Sequence, residues 1–371
     1  MNDIPAQGLR HVTVVVGDAR ATAQKYASVH GTTEWKVRRY DAARLRDATT
    51  HGFFANHEYL TATGVVAAKS GPVTFVLVQP LGGWTTYHEF LNTRGEGIHS
   101  ICVALVTPDE LSSLRSWLAE RGVEVAQSAC RDDAVDTYAF DTREKLGGFY
   151  VEVLAPRSAD WESRERADEV WNFAATTADE PLMLLGGIGH FGVVVPDLIA
   201  AVRNYAELFG ISDFTFRNWR NAPGSLDRPT YLGRPVEHAY FTTIVTPAKG
   251  LSFEVIQPTL GPSHYKEDFL QAIGPGIHHI NSGMIDDAGS WEAVRDRMAG
   301  VGAPVVMSGG ILENFLDFYY LDTRRALAGY VTEVTVPGSN FAKGRPNVPF
   351  AMVADLSRPV PNEHAVPAMV R

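Results

Sequence analysis

Cysteine is nearly absent from the 371-residue chain, which contains only Cys102 and Cys130. Two cysteines are too few for a disulfide framework or a thiolate zinc site, and their scarcity is typical of a reducing compartment. Long hydrophobic runs are also missing, since no apolar stretch approaches the roughly 20 residues that cross a bilayer. The N-terminal segment lacks the charged start and apolar core of a signal peptide. We therefore expect a cytoplasmic protein that does not bind a membrane.

Positive charge is in deficit, because 33 Lys and Arg residues face 43 Asp and Glu residues. The formal net charge of −10 leaves no basic stripe of the kind that phosphate backbones require, so nucleic acid is not an expected partner. Hydrophobic residues make up 45% of the chain, which is normal for a folded globular protein. A chain of this length predicts two or more domains.

The second half of the sequence repeats the first. GLRHVTVVVGD, which contains His11, aligns with GIGHFGVVVPD, which contains His190. GEGIHSI around His99 aligns with GPGIHHI around His278, and FDTR at 140–143 aligns with LDTR at 321–324. The nearly constant spacing of these matches over so many residues indicates an internal duplication.

Each half is itself double, because a relative of its opening strand returns after Gly97 or Gly276. Each opening strand precedes a helical stretch, and short β-branched or aromatic strands follow, such as Ala239–Val245 and Leu251–Gln257. The sequence therefore predicts an α+β fold built from four βαβββ modules.

The modules also predict the domain boundaries. An N-terminal domain, 1–156, contains modules 8–80 and 97–156, and a C-terminal domain, 186–340, contains modules 187–258 and 276–337. Residues 157–185, charged and then rich in Ala and Thr, are interpreted as a linker. The proline-rich residues 341–371 are expected to form an arm without regular structure.

Alternation within the strands of the second half places carboxylates on one face. In LSFEVIQ, Leu251, Phe253 and Val255 share one face of the strand, and Glu254 lies on the other. A carboxylate in an apolar strand is costly to bury unless it is paired, hydrogen-bonded or bound to a metal. Glu333 is a second charge inside an apolar strand pattern.

Two histidines of the same half, His190 and His279, open apolar strands. A lone histidine of this kind is more often a core residue, and a lone strand glutamate is usually a salt-bridge partner. Imidazoles and carboxylates together, however, suit a divalent first-row metal with open positions for substrate. Because all four residues occupy equivalent module positions, the sequence predicts a metal site of His190, Glu254, His279 and Glu333.

The module pattern resembles the vicinal oxygen chelate (VOC) superfamily, which includes glyoxalase I, methylmalonyl-CoA epimerase, extradiol dioxygenases and 4-hydroxyphenylpyruvate dioxygenase. The resemblance covers about residues 8–337 and rests on the strand-opening histidine, GPGIHHI at the start of the next module, and the glutamate of the last strand. It implies two cupped mixed β-sheets with outer helices. It also implies His190, His279 and Glu333 as metal ligands, with Glu254 as the further ligand of the glyoxalase and epimerase branches.

In the first half, His11 and Glu152 keep their places, whereas Val76 and Ser100 replace the other two ligands. Two ligands of four do not hold a metal tightly. We therefore interpret this half as a degenerate copy that supports the other half or an oligomer. A homodimer is expected by analogy with other cupped sheets.

Three functions fit the pattern. Two His and two Glu would leave an octahedral Zn, Ni, Co or Mn ion two open positions for an oxygen-chelating substrate, whose enolate the ion would stabilise. Glu254 or Glu333 would be the general base of such an isomerase, epimerase or lyase. Two His and one Glu would instead form the facial triad of an Fe(II) extradiol-type or 2-oxoacid-type dioxygenase. A metal-free protein that sequesters a ligand is the third alternative.

The presence of Glu254 favours the isomerase or lyase interpretation. The extradiol signature is incomplete, because Thr323 follows FYYLD where that signature has proline, and residues 308–316 contain no histidine. Against this, four modules with one degenerate half are the layout of many dioxygenases. The sequence therefore keeps the dioxygenase as an alternative.

The second half is rich in aromatic residues that could line the cup and bind an apolar or aromatic small-molecule substrate. His238 and Tyr240 share one strand face and are predicted to contact the substrate or the catalytic groups. A purely structural role is the equal alternative, because His57 and Tyr59 keep these positions in the first half. The other candidates for the wall are Phe214, Phe216, Trp219, Tyr231, Phe315, Phe318 and Tyr320.

Overall fold

The computed structural model describes residues 3–174, 181–222, 224–346 and 351–356. Within these residues the chain forms two curved mixed sheets of 11 strands each, one from each half of the sequence. The strands of the first half are β1 (His11–Val15), β2 (Glu34–Tyr40), β3 (Leu45–Thr50), β4 (Phe53–Phe54), β5 (His57–Val66), β6 (Val73–Gly83), β7 (Gly97–Leu105), β8 (Val125–Arg131), β9 (Val135–Phe140), β10 (Tyr150–Pro156) and β11 (Glu169–Asn172).

The second half repeats this set of strands. They are β12 (His190–Val194), β13 (Asp213–Arg220), β14 (Leu226–Tyr231), β15 (Arg234–Pro235), β16 (Ala239–Ala248), β17 (Leu251–Leu260), β18 (Gly276–Met284), β19 (Val305–Ile311), β20 (Leu316–Leu321), β21 (Val331–Pro337) and β22 (Met352–Asp355). The helices are α1 (Ala19–His30), α2 (Thr86–Arg94), α3 (Pro108–Ala119), α4 (Arg143–Leu146), α5 (Trp161–Arg164), α6 (Leu198–Phe209), α7 (Gln271–Ile273) and α8 (Ala288–Gly300). A π-helix, His264–Leu270, runs into α7, and a short 3₁₀ turn spans Phe341–Lys343. The predicted α+β fold is confirmed.

The two modules of each half join at the middle of their sheet. In the second sheet the strand order is β15-β14-β19-β20-β21-β18-β12-β17-β16-β13-β22. The central pair β12–β18 is antiparallel, whereas β12 runs parallel to β17 and β18 runs parallel to β21. The hairpin β14–β15 leaves its own module and pairs with β19 of the other module. This exchange curves the sheet into a cup whose floor consists of β21, β18, β12 and β17.

Helices α1 and α6 begin and end with the same local signals. Asp18 and Asp197 are the N-caps, and their side chains accept hydrogen bonds from the backbone N–H of Ala21 at 2.9 Å and of Ala200 at 3.0 Å. Gly31 follows α1 with φ of 72°, and Gly210 follows α6 with φ of 66°, the left-handed conformation that ends many helices. The duplicated sequence therefore repeats the same local structure.

The two halves share one hydrophobic core. The hydroxyl of Tyr26 on α1 donates to the carbonyl of Leu327 at 3.3 Å, and the hydroxyl of Tyr205 on α6 donates to the carbonyl of Leu146 at 3.0 Å. Tyr26 and Tyr205 occupy equivalent positions in the repeat, so the contact between the halves is reciprocal. Helices α1 and α6 therefore each pack against the opposite half of the chain.

The segment that follows each pair of modules returns to an open sheet edge. Strand β11 pairs antiparallel with β2, and β22 pairs antiparallel with β13. The expectation of an arm without regular structure is therefore wrong for Met352–Asp355 and for the 3₁₀ turn. Residues 175–180 of the proposed linker and residues 347–350 and 357–371 of the proposed arm lie outside the described residues. In the part of the chain that the structure describes, no helix has the length and apolar character to span a membrane.

Candidate metal centre

Four adjacent strands of the second sheet bring the four predicted ligands together. His190 lies on β12, Glu254 on β17, His279 on β18 and Glu333 on β21. Gly192 of β12 lies opposite both Glu254 and His279 in the strand register. As a result, one ligand atom from each of the four side chains lies within 4.8 Å of the other three.

The distances between these atoms fit a single bound cation. The Nε2 atom of His190 lies 3.0 Å from Oε2 of Glu333 and 3.3 Å from Oε2 of Glu254. The Nε2 atom of His279 lies 3.4 Å from Glu333, 3.7 Å from Glu254 and 3.3 Å from Nε2 of His190. Ligands about 2.1 Å from an ion are roughly 3.0 Å apart at right angles and roughly 3.4 Å apart in a tetrahedron. The observed separations span these values.

The charges of the cluster also suit a cation. Burial by itself lowers the pKa of His190, but the hydrogen bonds and charges of Glu254 and Glu333 raise it to about 10. Burial raises the pKa of Glu333, but the hydrogen bonds from His190 and His279 hold it well below its usual value. The site thus attracts positive charge strongly, and two carboxylates and two imidazoles are donors that a divalent first-row ion accepts. The donor set fits the divalent-metal cofactor that the sequence predicts.

The sequence did not identify two residues that hold the carboxylates. The side-chain amide of Asn281 donates to Oε2 of Glu333 at 2.8 Å, and the hydroxyl of Thr242 donates to Oε1 of Glu254 at 3.1 Å. Asn281 follows His279 by two positions and therefore lies on the same strand face. Such partners orient metal ligands and tune their basicity.

Gly192 provides the space that the imidazole of His279 occupies. A Cβ atom at position 192 would overlap with the ring of His279. In the first half Thr13 stands at the position of Gly192, and Ser100 stands at the position of His279. The half that has a side chain at this position, Thr13, is therefore the half that has no imidazole at the position of His279.

Gly192→Ala should displace the ring of His279 and weaken metal binding by about 10- to 100-fold, as other disturbances of ligand orientation do. Titration of the metal-free protein with Zn²⁺ against a chelator measures this loss. Thr13→Ala is the matched control, and it should leave the affinity for Zn²⁺ unchanged. Equal affinity in Gly192→Ala and the wild type would show that the ring can move without cost.

A cavity of about 430 Å³ opens above the cluster. Its wall is mostly apolar and contains Trp219, Tyr240, Phe315, Phe318 and Tyr320. The remaining predicted aromatic residues lie elsewhere, because Phe214 and Phe216 are in the shared core and the hydroxyl of Tyr231 donates to Asp268.

The two residues of the predicted strand face therefore differ in position. Tyr240 lines the cavity, whereas His238 is buried outside its lining, with its ring 5.8 Å from that of Tyr240. Burial lowers the pKa of His238 to about 4. The geometry supports a substrate contact for Tyr240 and provides none for His238.

The equivalent cluster of the first half forms a hydrogen-bonded network. His11 Nε2 lies 3.0 Å from Oε2 of Glu152, and the hydroxyls of Ser100 and Thr13 donate to the same carboxylate at 2.8 and 3.3 Å. Cys102 is the third residue of this group with a possible ligand atom. Burial alone lowers the pKa of His11, but Cys102 and Glu152 raise it to about 10. The first half thus has an ion pair between His11 and Glu152 at the position where the second half has four candidate metal donors.

These features define a protein of paired βαβββ modules with a candidate divalent-metal centre in one cupped sheet. Residues 10–140 match the family described as the Glyoxalase/Bleomycin resistance protein/Dioxygenase superfamily. No curated protein matches the chain by sequence. Among solved structures, a triple mutant of 4-hydroxymandelate synthase from Streptomyces coelicolor is 16% identical, with a TM-score of 0.52 over 92% of this chain and 97% of that one. A halotolerant catechol dioxygenase is 15% identical, with a TM-score of 0.41 over 90% and 87% of the two chains.

The likeness to the synthase shows a shared fold. The family match confirms, for residues 10–140, the resemblance to the vicinal oxygen chelate superfamily that the sequence predicts.

Proposed function

We propose that the chain is a metal-dependent isomerase, epimerase or lyase that removes a proton next to the carbonyl group of a small oxygen-chelating substrate. The observation that carries the proposal is the fourth donor, Glu254, whose Oε2 lies 3.3 Å from Nε2 of His190. A facial triad of two His and one Glu needs no further carboxylate. With two carboxylates at the site, one completes the triad and the other can act as a base.

His190, Glu254, His279 and Glu333 would hold a divalent ion, which when bound supplies positive charge that stabilises the enolate formed by proton removal. Glu333 is the more firmly held carboxylate, because its Oε2 accepts from Asn281 and lies 3.0 and 3.4 Å from the imidazoles of His190 and His279. Glu254 accepts from the hydroxyl of Thr242, and its contacts with the same two imidazoles are longer, at 3.3 and 3.7 Å. Glu254 is therefore the carboxylate that we assign as general base.

The cavity wall would exclude water and orient the substrate. Burial raises the pKa of Tyr240 well above its usual value, so the phenol stays protonated and can donate a hydrogen bond to a substrate oxygen. The apolar aromatic wall favours an apolar or aromatic group beside the chelating oxygens. Catalysis by proton transfer at Glu254 needs no oxidant.

The test is a hydrogen-exchange assay on the purified protein. A panel of α-hydroxycarbonyl compounds is incubated with the protein in D₂O, and NMR measures deuterium at the carbon next to the carbonyl group. An oxygen electrode and metal analysis by mass spectrometry accompany the assay. We expect deuterium uptake, no oxygen consumption, and bound Zn, Ni, Co or Mn.

Glu254→Gln should lower the rate of deuterium uptake by about 10²- to 10⁴-fold, the usual contribution of a general base. Glu152→Gln changes the one carboxylate that the first half keeps, the counterpart of Glu333, and should leave the rate unchanged. Turnover that consumed oxygen with bound Fe(II), and that survived Glu254→Gln, would establish the dioxygenase alternative instead. Protein purified without metal, and unable to take it up, would favour ligand sequestration.

A further inference from the structure

Three buried histidines form a line that starts at the candidate metal centre. Nδ1 of His279 lies 2.9 Å from Nδ1 of His278, and Nε2 of His278 lies 2.7 Å from Nδ1 of His264. All three side chains have no exposed surface. We refer to His279, His278 and His264 as the histidine chain.

The contacts of the histidine chain determine where each proton lies. His279 presents Nε2 to the other three donors of the metal centre. An imidazole that ligates through Nε2 carries its proton on Nδ1, so His279 donates to Nδ1 of His278. His278 then carries its proton on Nε2 and donates to Nδ1 of His264. Each ring thus fixes the tautomer of the ring to which it is hydrogen-bonded.

His264 is the end of this series. Its Nε2 has no hydrogen-bond partner within the described residues, and the nearest carboxylate oxygen, Oδ2 of Asp268, lies 3.9 Å away. The same oxygen accepts a hydrogen bond of 2.6 Å from the hydroxyl of Tyr231. His264 therefore serves the histidine chain as an acceptor, through Nδ1, and makes no competing strong hydrogen bond.

The duplicated half provides an internal comparison. His99 occupies the position of His278, but Ser100 replaces the ligand, and Thr86, the first residue of α2, replaces His264, the first residue of the π-helix. Nδ1 of His99 contacts the hydroxyl of Ser100 at 3.0 Å, and its Nε2 has no partner among the described residues. The terminal histidine is thus present only in the half that has the imidazole ligand.

The π-helix places His264 in this position. Tyr265 and Phe269 pack on the ring of His278 at 5.0 and 5.1 Å, as Tyr87 and Phe90 pack on His99 at 4.8 and 5.5 Å. The second half has one residue more between its two aromatic residues, and the wider π-helical turn accommodates it. Extra residues of this kind often occur at functional sites.

We propose that His264 is a positioning residue for the metal centre, which acts through His278 to hold the ring plane and the tautomer of His279. The inference rests on the metal binding of the proposed function, but not on its reaction. Without the acceptor at position 264, His278 can rotate or change tautomer, and the Nδ1 proton of His279 loses its partner. The lone pair of His279 Nε2 is then no longer directed at the other donors.

Zn²⁺ alone is the probe for the test. His264→Leu removes the acceptor, and we expect Zn²⁺ to bind about 10- to 100-fold more weakly in competition with a chelator. His264→Asn places a side-chain oxygen near the position of Nδ1, and it should restore the affinity to within about threefold of the wild type. Thr86→Val, the matched change in the first half, should leave the affinity unaltered. Denaturant unfolding of the metal-free variants separates this effect from a loss of stability.

A second measurement uses the wild-type protein and does not depend on any variant folding. The imidazole ¹⁵N chemical shifts of the Zn²⁺-loaded protein should show the proton of His279 on Nδ1 and that of His278 on Nε2. The reverse tautomers, wild-type affinity in a folded His264→Leu variant, or equal losses in the Leu and Asn variants would each overturn the inference while leaving the proposed function intact. Failure of the wild type to bind Zn²⁺ would overturn both.

Discussion

Replacing His279 with serine should remove both the metal ion and the activity. The bound metal should fall from about one ion per chain to less than about a tenth, and the rate should fall by about 10³-fold or more, because a bound ion contributes several kcal/mol to stabilising a developing negative charge. Metal analysis by mass spectrometry and the deuterium exchange assay measure these two losses. The physical reason is that Gly192 has no side chain that could fill the space left by the imidazole. No other donor therefore takes the place of His279.

The His279→Ser variant should still fold, because the first half contains the same arrangement. There Ser100 donates to Glu152 at 2.8 Å, and His11 pairs with the same carboxylate at 3.0 Å. In the variant, His190 can pair with Glu333 in the same way, since these residues already lie 3.0 Å apart. Ser100→Ala is the matched control and should retain full metal content and activity. A His279→Ser variant that kept one tightly bound ion would show that His279 is not a ligand.

The cluster of four candidate ligands could be predicted because the place of each residue depends on local sequence and on the repeat. Strand alternation separates Glu254 from Phe253 and Val255, and the structure places the two apolar residues in the shared core and Glu254 at the metal centre. Alternation also separates His278 from His279, and only His279 belongs to the cluster of candidate ligands, although the two Nδ1 atoms lie 2.9 Å apart. Period-two patterns are readable from one strand alone, because they do not depend on which strands are neighbours.

The rest of the site depends on contacts between distant strands, which one sequence does not reveal. Asn281 supports Glu333 only because β18 lies beside β21 in register. The need for glycine at position 192 comes from the imidazole of a different strand. His264 lies 14 residues before His278, yet its Nδ1 lies 2.7 Å from Nε2 of that ring. None of these relations leaves a periodic signal.

Elements at the sheet edges could not be predicted for a similar reason. Strand β3 pairs with β8 of the other module as well as with the two-residue strand β4 of its own. Strand β22 lies in a proline-rich segment and forms because β13 offers an open edge. Short edge strands have little intrinsic preference for extended structure and depend on their partners. The modules were therefore predictable, whereas the way in which they exchange edges was not.

Mild acid should unfold the protein, and four buried neutral histidines outside the metal centre are the reason. Burial lowers the pKa of His30, His57 and His238 to about 4. Burial likewise lowers the pKa of His99 to about 3. In the unfolded chain each of these residues titrates near pH 6.5. Between about pH 6.5 and pH 4 the unfolded state therefore binds more protons, and stability falls as the pH falls.

The size of this effect follows from the linkage of proton binding to folding. From pH 7 to pH 5 each histidine lowers the free energy of unfolding by about 1.8 kcal/mol, so the four together remove about 7 kcal/mol. That is comparable to the whole stability of many domains, which is about 5–15 kcal/mol. His11 offsets only a small part of the loss. Its pKa of about 10 keeps it protonated in the folded state, and below about pH 6 it is largely protonated in the unfolded state as well.

Urea unfolding followed by circular dichroism at several pH values between 7 and 5 measures the slope, with a chelator present so that release of metal does not contribute. His30→Asn keeps a polar side chain beside the carbonyl of Met183, which His30 contacts at 3.2 Å through Nδ1. This variant should lose about a quarter of the pH dependence, because one of the four titrating groups is gone. A wild-type free energy of unfolding that stayed constant from pH 7 to pH 5 would mean that these rings take up protons without unfolding, and hence that water reaches them in the native state.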